Sequence, residues 1–337
     1  LNNFDLAIKS YENVLLINPN HAEAYNNLGI VLHKKNELEA SIAQYEEALR
    51  LQPDYAEAHH NMGNTFIAMD RLDDAILSYE RAVKIKPDYV SALCNLGSAL
   101  RTRGDLDSAI TRYSQAISIK PGYAEVHNNL GNVFQDKNDY SVAIEHYRQA
   151  IKIKPDYATA YGNIGVICYY QGDLDRAVSN YSKALMLDPE HLPSYIHLGT
   201  AQSEQKKFKE AIASFQKALS LNPRSSEALN NLANTFKSQG NTIAAMNYYN
   251  KALQANNHFI DAFVNLETLL IQTNDLNSTT LFDTFNMFKK CKTIAAVSPR
   301  HQINAAISSF AQGDKLQSLA SLDKYTELKK TGQVELL

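Results

Sequence analysis

Among the residue types able to do chemistry, asparagine recurs with the greatest regularity. Asn27, Asn61, Asn95, Asn129, Asn163, Asn231 and Asn265 keep one register of 34 residues, interrupted where His197 stands in the row. A carboxamide donates and accepts at once, which matches the N–H and C=O of an extended polypeptide backbone. A row of them could hold a chain without reading its side chains, each bond contributing about 0.5–1.5 kcal/mol net. Asparagine is worse than alanine in a helix interior by roughly 0.5 kcal/mol, so seven copies require a reason. Two plainer reasons compete: shared ancestry by duplication, and amides that bond the adjoining helix and tie repeats together. The first is weakened by a second register that has diverged freely, Gln44, Ser78, Arg112, His146, Asn180, Ser214 and Tyr248. The reading favoured is a peptide-binding row, widened by Asn64, Asn132 and Asn234 three residues along.

Other reactive groups are scattered. There is no GxGxxG, GxxxxGK[ST], HExxH or GxSxG, and no paired metal-ligand spacing, so neither catalysis, cofactor nor metal is expected. His59 and His60 form the densest histidine cluster, but His59 falls at a packing position and reads as a core-edge histidine. Cys94, Cys168 and Cys291 lie far apart without a CxxC pair, which excludes a disulfide framework and fits an intracellular, cytoplasmic or nuclear, setting. The triplets Asn180-Tyr181-Ser182 and Asn277-Ser278-Thr279 read as chance glycosylation matches. Net charge is −3 with acidic and basic residues interleaved, against phosphate-driven nucleic-acid binding. No apolar run of about 18 residues is present, so no span is expected.

The elements that position the asparagines are punctuated by proline. Pro19, Pro53, Pro87, Pro121, Pro155, Pro189 and Pro223 stand 34 residues apart, the signature of a repeat array. Counting each proline as position 32 places position 1 at residues 22, 56, 90, 124, 158, 192, 226 and 260. The first helix of each unit is expected to begin after a capping signal such as Asn20-x-x-Glu23 or Asp54-x-x-Glu57. It carries apolar residues at positions 4, 7 and 11, as in Tyr25, Leu28 and Leu32. A polar break such as Gly104-Asp105 or Gly172-Asp173 ends it. The second helix shows one stripe, for example Leu72, Ala75, Tyr79, Ala82, Val83 and Ile85, and stops at the proline, which lacks an amide donor. Small residues at position 8 (Gly29 through Ala233) let the hairpin close, and the aromatic at position 24 fills the contact. No hairpin can bury its stripe alone, so an elongated solenoid is expected in place of globular domains.

Small residue at 8, Ala at 20, Tyr or Phe at 24, Ala at 27 and Pro at 32 resembles the tetratricopeptide repeat. The resemblance implies an all-α fold, a right-handed superhelical α-solenoid of 34-residue helix-turn-helix repeats over residues 1 to 273. A partial repeat, 1 to 21, with Phe4, Ala7, Tyr11, Val14 and Pro19 in register, precedes the full ones, so residue 1 is expected not to be the native start. Residues 260 to 273 keep a half repeat, with Glu267 where a small residue belongs. Residues 274 to 337 are expected to form a divergent helical cap or the start of a following domain, with helices near 279–294, 300–311 and 314–330.

In such arrays the first helices line the concave face, which puts the asparagines along that groove. Position 5 reads Asn26, His60, Cys94, Asn128, Gly162, Ile196, Asn230 and Val264, without the lysine that a clamp for chaperone C-termini would carry. The phrases AEAYNNLG (22–29), AEVHNNLG (124–131) and SEALNNLA (226–233) make the array most similar to the superhelical arm of the O-GlcNAc transferase family. The resemblance implies a scaffold for extended polypeptides or, alternatively, the substrate arm of a glycosyltransferase whose catalytic domain is elsewhere. Proteins or peptide segments are the partners expected, and the outer faces of such arrays can pair two copies.

Overall fold

The computed structural model describes residues 3–273, and the cap or following-domain segment expected at 274–337 lies outside them. Among the described residues the chain is all-α, with sixteen helices. The first helices of the repeats are α2 (Ala22–Lys34), α4 (Ala56–Ala68), α6 (Val90–Arg103), α8 (Ala124–Asp136), α10 (Ala158–Tyr170), α12 (Leu192–Glu204), α14 (Ser226–Ser238) and α16 (Ile260–Thr273). Between them run α1 (Asn3–Ile17), α3 (Leu38–Leu51), α5 (Leu72–Ile85), α7 (Leu106–Ile119), α9 (Tyr140–Ile153), α11 (Leu174–Leu187), α13 (Phe208–Leu221) and α15 (Thr242–Ala255). Two compact units divide the chain, Leu1–Asn163 and Ile164–Leu337, and the division falls inside α10.

Within the first unit each helix packs on the next, and first helices also touch across a repeat, α2 on α4 and α6 on α8. In the second unit α12 touches α14 and α14 touches α16 in the same manner. A continuous core in the first unit joins Tyr45, Met62, Phe66, Tyr79, Leu93, Leu96, Tyr113, Val126 and Leu130. The alanines at positions 20 and 27 (Ala75, Ala82, Ala109, Ala116) are fully buried within it.

The small residue at position 8 has the reason the spacing suggested. A methyl group added at Gly63 or Gly131 would lie 2.6 Å from Cε1 of Tyr79 or Tyr147, inside contact distance. Where glycine stands at this position, the ring of the second helix therefore seats directly on the backbone of the first. Ala233 fills the same position in the last full repeat and is completely buried.

The turn inside each hairpin is uniform. Asn36, Asp70, Gly104 and Asn138 in the first unit, and Gly172, Lys206 and Gly240 in the second, all have positive φ. That left-handed residue lets the following amide reach back five residues, as Asp105 N–H does to Leu100 C=O at 2.9 Å, the Schellman arrangement that satisfies orphan carbonyls. Lys206 occupies this conformation without the steric relief of glycine.

The capping boxes expected at Asn20 and Asp54 are not formed. The N-caps are one residue later, at His21, whose Nδ1 accepts from the Ala24 amide, and at Tyr55, which makes no side-chain cap. Half-buried aromatics occupy this position in successive repeats, Tyr55, Tyr89 and Tyr123, so packing, not amide capping, sets the boundary. Lys86 and Lys120 lie over the rings of Tyr89 and Tyr123 at 5.2 and 4.6 Å. Side-chain caps are also found at Ser225, before α14, and at the second helices, where Asp105 and Asp173 accept from Ser108 and Arg176 amides.

Candidate functional site

The asparagine row runs along the first helices, and a fixed bonding rule connects it. The amide at position 6 donates to the residue 35 positions earlier, at position 5 of the preceding repeat, or 31 positions earlier, at position 9. Asn61 donates to Asn26 at 3.0 Å. Asn95 donates to Asn64 at 2.8 Å and to Nε2 of His60 at 3.0 Å. Asn163 donates to Asn128 at 3.0 Å and Asn132 at 3.1 Å. In the second unit Asn231 reaches Thr200 Oγ1 at 3.4 Å, and Asn265 reaches Asn230 at 3.0 Å.

The position 9 asparagines are hubs of this network. Asn64 Oδ1 accepts from the Tyr79 hydroxyl at 2.8 Å as well as from Asn95. Asn132 accepts likewise from Tyr147 at 2.8 Å, and Asn234 from Tyr249 at 2.5 Å. Tyr79, Tyr147 and Tyr249 thus do more than fill space: their otherwise buried hydroxyls are satisfied by the ladder. Burial raises the pKa of Tyr79 and Tyr147 and so keeps both as neutral donors. These tyrosines therefore supply a hydrogen bond beyond the contact area expected of them. The pairing of Asn at 9 with Tyr fifteen residues later was the available signal.

Asn129 departs from the rule. The residues 35 and 31 before it are Cys94 and Ser98. Ser98 Oγ is engaged by the Tyr113 hydroxyl at 2.8 Å, and among the described residues no hydrogen bond forms at the Asn129 side chain. Cys94 offers a neutral thiol, its pKa pushed up to about 12 by burial and secondarily by the Glu125 carboxylate. Such a thiol is a weak acceptor and an inert nucleophile. The joint between α6 and α8 is held at its far end by Arg101, whose guanidinium bonds both oxygens of Asp136 at 2.5 and 3.1 Å.

At the ladder's other irregular points, Asn27 Oδ1 accepts from Asn26 at 3.5 Å and Asn231 Oδ1 from Asn230 at 3.2 Å. His197, the exception in the row, stacks on Tyr181 with ring centroids 5.7 Å apart. The residues 35 and 31 before it in sequence are Gly162 and Val166, neither with a side-chain acceptor. Asparagine and acceptor are thus lost together.

The histidines expected at the core edge are buried. His60 Nε2 accepts from Asn95, which leaves Nδ1 to donate to the Tyr89 hydroxyl at 3.3 Å. Burial lowers the pKa of His59 and His60. Among the described residues no three of His, Cys, Asp and Glu are placed to hold a metal ion, and no helix is long and apolar enough to cross a membrane.

Comparison with known proteins places the chain. The family model described as the cilia and flagella-associated protein 70 C-terminal domain matches residues 88–284. A tetratricopeptide repeat model matches residues 1–36, 31–70 and 63–101. No curated protein matches the chain in sequence. Among solved structures, the anaphase-promoting complex hetero-tetramer Cut9-Hcn1 is 17% identical with a TM-score of 0.60, over 79% of this chain and 52% of that one. PilF of Pseudomonas aeruginosa is 18% identical with a TM-score of 0.54, over 65% and 97%. Both show the shared helical-repeat fold. MamA is 29% identical with a TM-score of 0.45, over 48% of this chain and 95% of its own.

Proposed function

Because the chain belongs to the family of the cilia and flagella-associated protein 70 C-terminal domain, a tetratricopeptide protein-interaction scaffold, we propose that it captures extended polypeptide segments along its first helices. The role is non-catalytic. The observation that carries this reading is the unspent carboxamide of Asn129, which stands between Asn95 and Asn163, each tied to the preceding repeat. An amide with both donors and its acceptor available pairs with one residue of an extended backbone at two points. Asn95 and Asn163 have committed both amide protons and retain only Oδ1 for a partner's N–H. Backbone capture is therefore centred on Asn129 of α8, with Asn95 and Asn163 on either side assisting as acceptors.

The experiment is calorimetric titration of an unfolded chain, reduced and carboxymethylated lactalbumin, into the protein and into Asn129→Ala. Weaker binding with unchanged folding supports the reading, and equal affinity rejects it.

A second reading is that this array is the substrate arm of a glycosyltransferase similar to O-GlcNAc transferase. Its support is the run of phrases AEAYNNLG, AEVHNNLG and SEALNNLA together with the position 6 row. A UDP-sugar-binding α/β domain encoded in the same reading frame would establish it, and a frame without one would dismiss it.

A further inference from the structure

On the second-helix side of the first unit, α3, α4 and α5 enclose an open cleft of about 730 Å³. Its lining includes Arg50 from α3, Arg81 and Lys84 from α5, and His59 from α4, with Glu46 as the one acidic side chain. Arg50 is held by Glu47 at 2.8 Å, whereas Arg81 and Lys84 make no ion pair among the described residues. His59 is 6% exposed. Its Nε2 donates to the Pro53 carbonyl at 3.2 Å and its Nδ1 has no partner.

We infer that this cleft binds a phosphoryl group. Two cations without counter-ions, a third fixed in place and a buried histidine able to become a donor are the groups that recognise a dianion. Cations near helix C-termini have a plainer use as partners of the helix dipole, which accounts for Arg50 and Lys84 singly. It does not account for Arg81, a turn earlier, or for their convergence on a cleft. Register supports the assignment. Position 29 reads Arg50, Lys84, Ser118, Lys152, Met186, Ser220 and Gln254, so at this position two successive repeats both carry a cation only here. His127 repeats the chemistry of His59, with an unpartnered Nδ1, but the cations become Ser118, Gln149 and Lys152. The molecule thus carries its own control.

In the empty cleft burial and, after it, the charge of Arg81 lower the pKa of His59. A dianion placed among Arg50, Arg81 and Lys84 offsets that charge, and the imidazole gains a proton on Nδ1. Glu46 opposes the anion and limits its affinity. The source of the phosphoryl group is either a phosphorylated protein segment or a free phosphate compound, which share this chemistry.

The test is a titration with inorganic phosphate and, separately, with a phosphoserine peptide, read by calorimetry and by the ring carbon shifts of the histidines. Binding by either probe is expected, with His59 shifting and His127 unmoved. Tighter binding of the peptide identifies a modified protein as the source, and equal binding identifies the free anion. The exposed double variant Arg81→Gln with Lys84→Gln, checked for folding by circular dichroism, is expected to weaken binding by about tenfold or more, while Lys152→Gln binds as the parent does. Undiminished binding by the double variant, no binding of either probe, or equal binding of a glutamate peptide would overturn the assignment. Inorganic phosphate has no peptide backbone, so that arm of the test is independent of the asparagine row.

Discussion

The joints α4–α6 and α6–α8 follow one after the other in the same unit and share a repeat, yet they use the same residue differently. At the first, both amide protons of Asn95 are bound, to His60 and Asn64. At the second, the corresponding residues are Cys94 and Ser98, and among the described residues Asn129 makes no side-chain hydrogen bond. The difference lies in the acceptors of the preceding repeat, not in the asparagine. An identical residue in an identical register is a structural tie where positions 5 and 9 accept, and the recognition group we propose where they do not. The Arg101–Asp136 pair that holds the second joint is half exposed, and such pairs contribute about 0–1 kcal/mol.

This contrast can be broken at several points. The largest effect is expected at Asn163, which is doubly bonded like Asn95. Asn163→Ala leaves the buried Asn128 oxygen without its donor and should lower unfolding free energy by about 1–3 kcal/mol in urea denaturation. A change near zero would mean that the ties carry no weight. Next, Cys94→Asn supplies the missing acceptor to Asn129. A gain of about 0.5–1.5 kcal/mol is expected, together with weaker capture of an unfolded chain. Should neither quantity move, the acceptor is not the cause of the difference.

A smaller effect concerns pH. Burial depresses the folded-state pKa of His60, so the unfolded chain holds the proton more readily. The neutral form's contribution is complete above the unfolded value of about 6.5 and is lost as pH falls through the lower folded value. His60→Asn, the residue found at the matching sites Asn26 and Asn128, keeps an acceptor for Asn95 and removes the titration. Its stability should fall less between pH 7 and 5 than that of the parent protein, and an unchanged slope would assign the pH dependence to the other buried histidines.

Much of this arrangement was legible before any coordinates. The prolines, the glycine at 8 and the aromatic at 24 act within one hairpin, so a single register exposes them, and Gly131 under Tyr147 is where the pattern placed it. The amide ties were not legible in the same way. Their partners stand 35 and 31 residues upstream, an offset fixed by how one repeat sits on the next, and position 5 drew attention only for lacking lysine. The capping sites were misplaced by one residue because Asn20 and Asp54 are good caps in isolation, while His21 and Tyr55 win the position through packing. The left-handed residue at position 15 was visible at Gly104 and Gly172. It was hidden at Asn36, Asp70 and Lys206, where side chains tolerate the conformation.

The central claim is that acceptor supply decides which asparagines tie repeats and which bind. It is tested most directly by measuring unfolding free energy and affinity for reduced, carboxymethylated lactalbumin on Asn95→Ala and Asn129→Ala side by side. Asn95→Ala should lose about 1–3 kcal/mol of stability with affinity nearly retained. Asn129→Ala should hold its stability or gain up to about 0.7 kcal/mol from better helix propensity while affinity falls. Equal losses of stability in the two variants, or loss of affinity only in Asn95→Ala, would contradict the account.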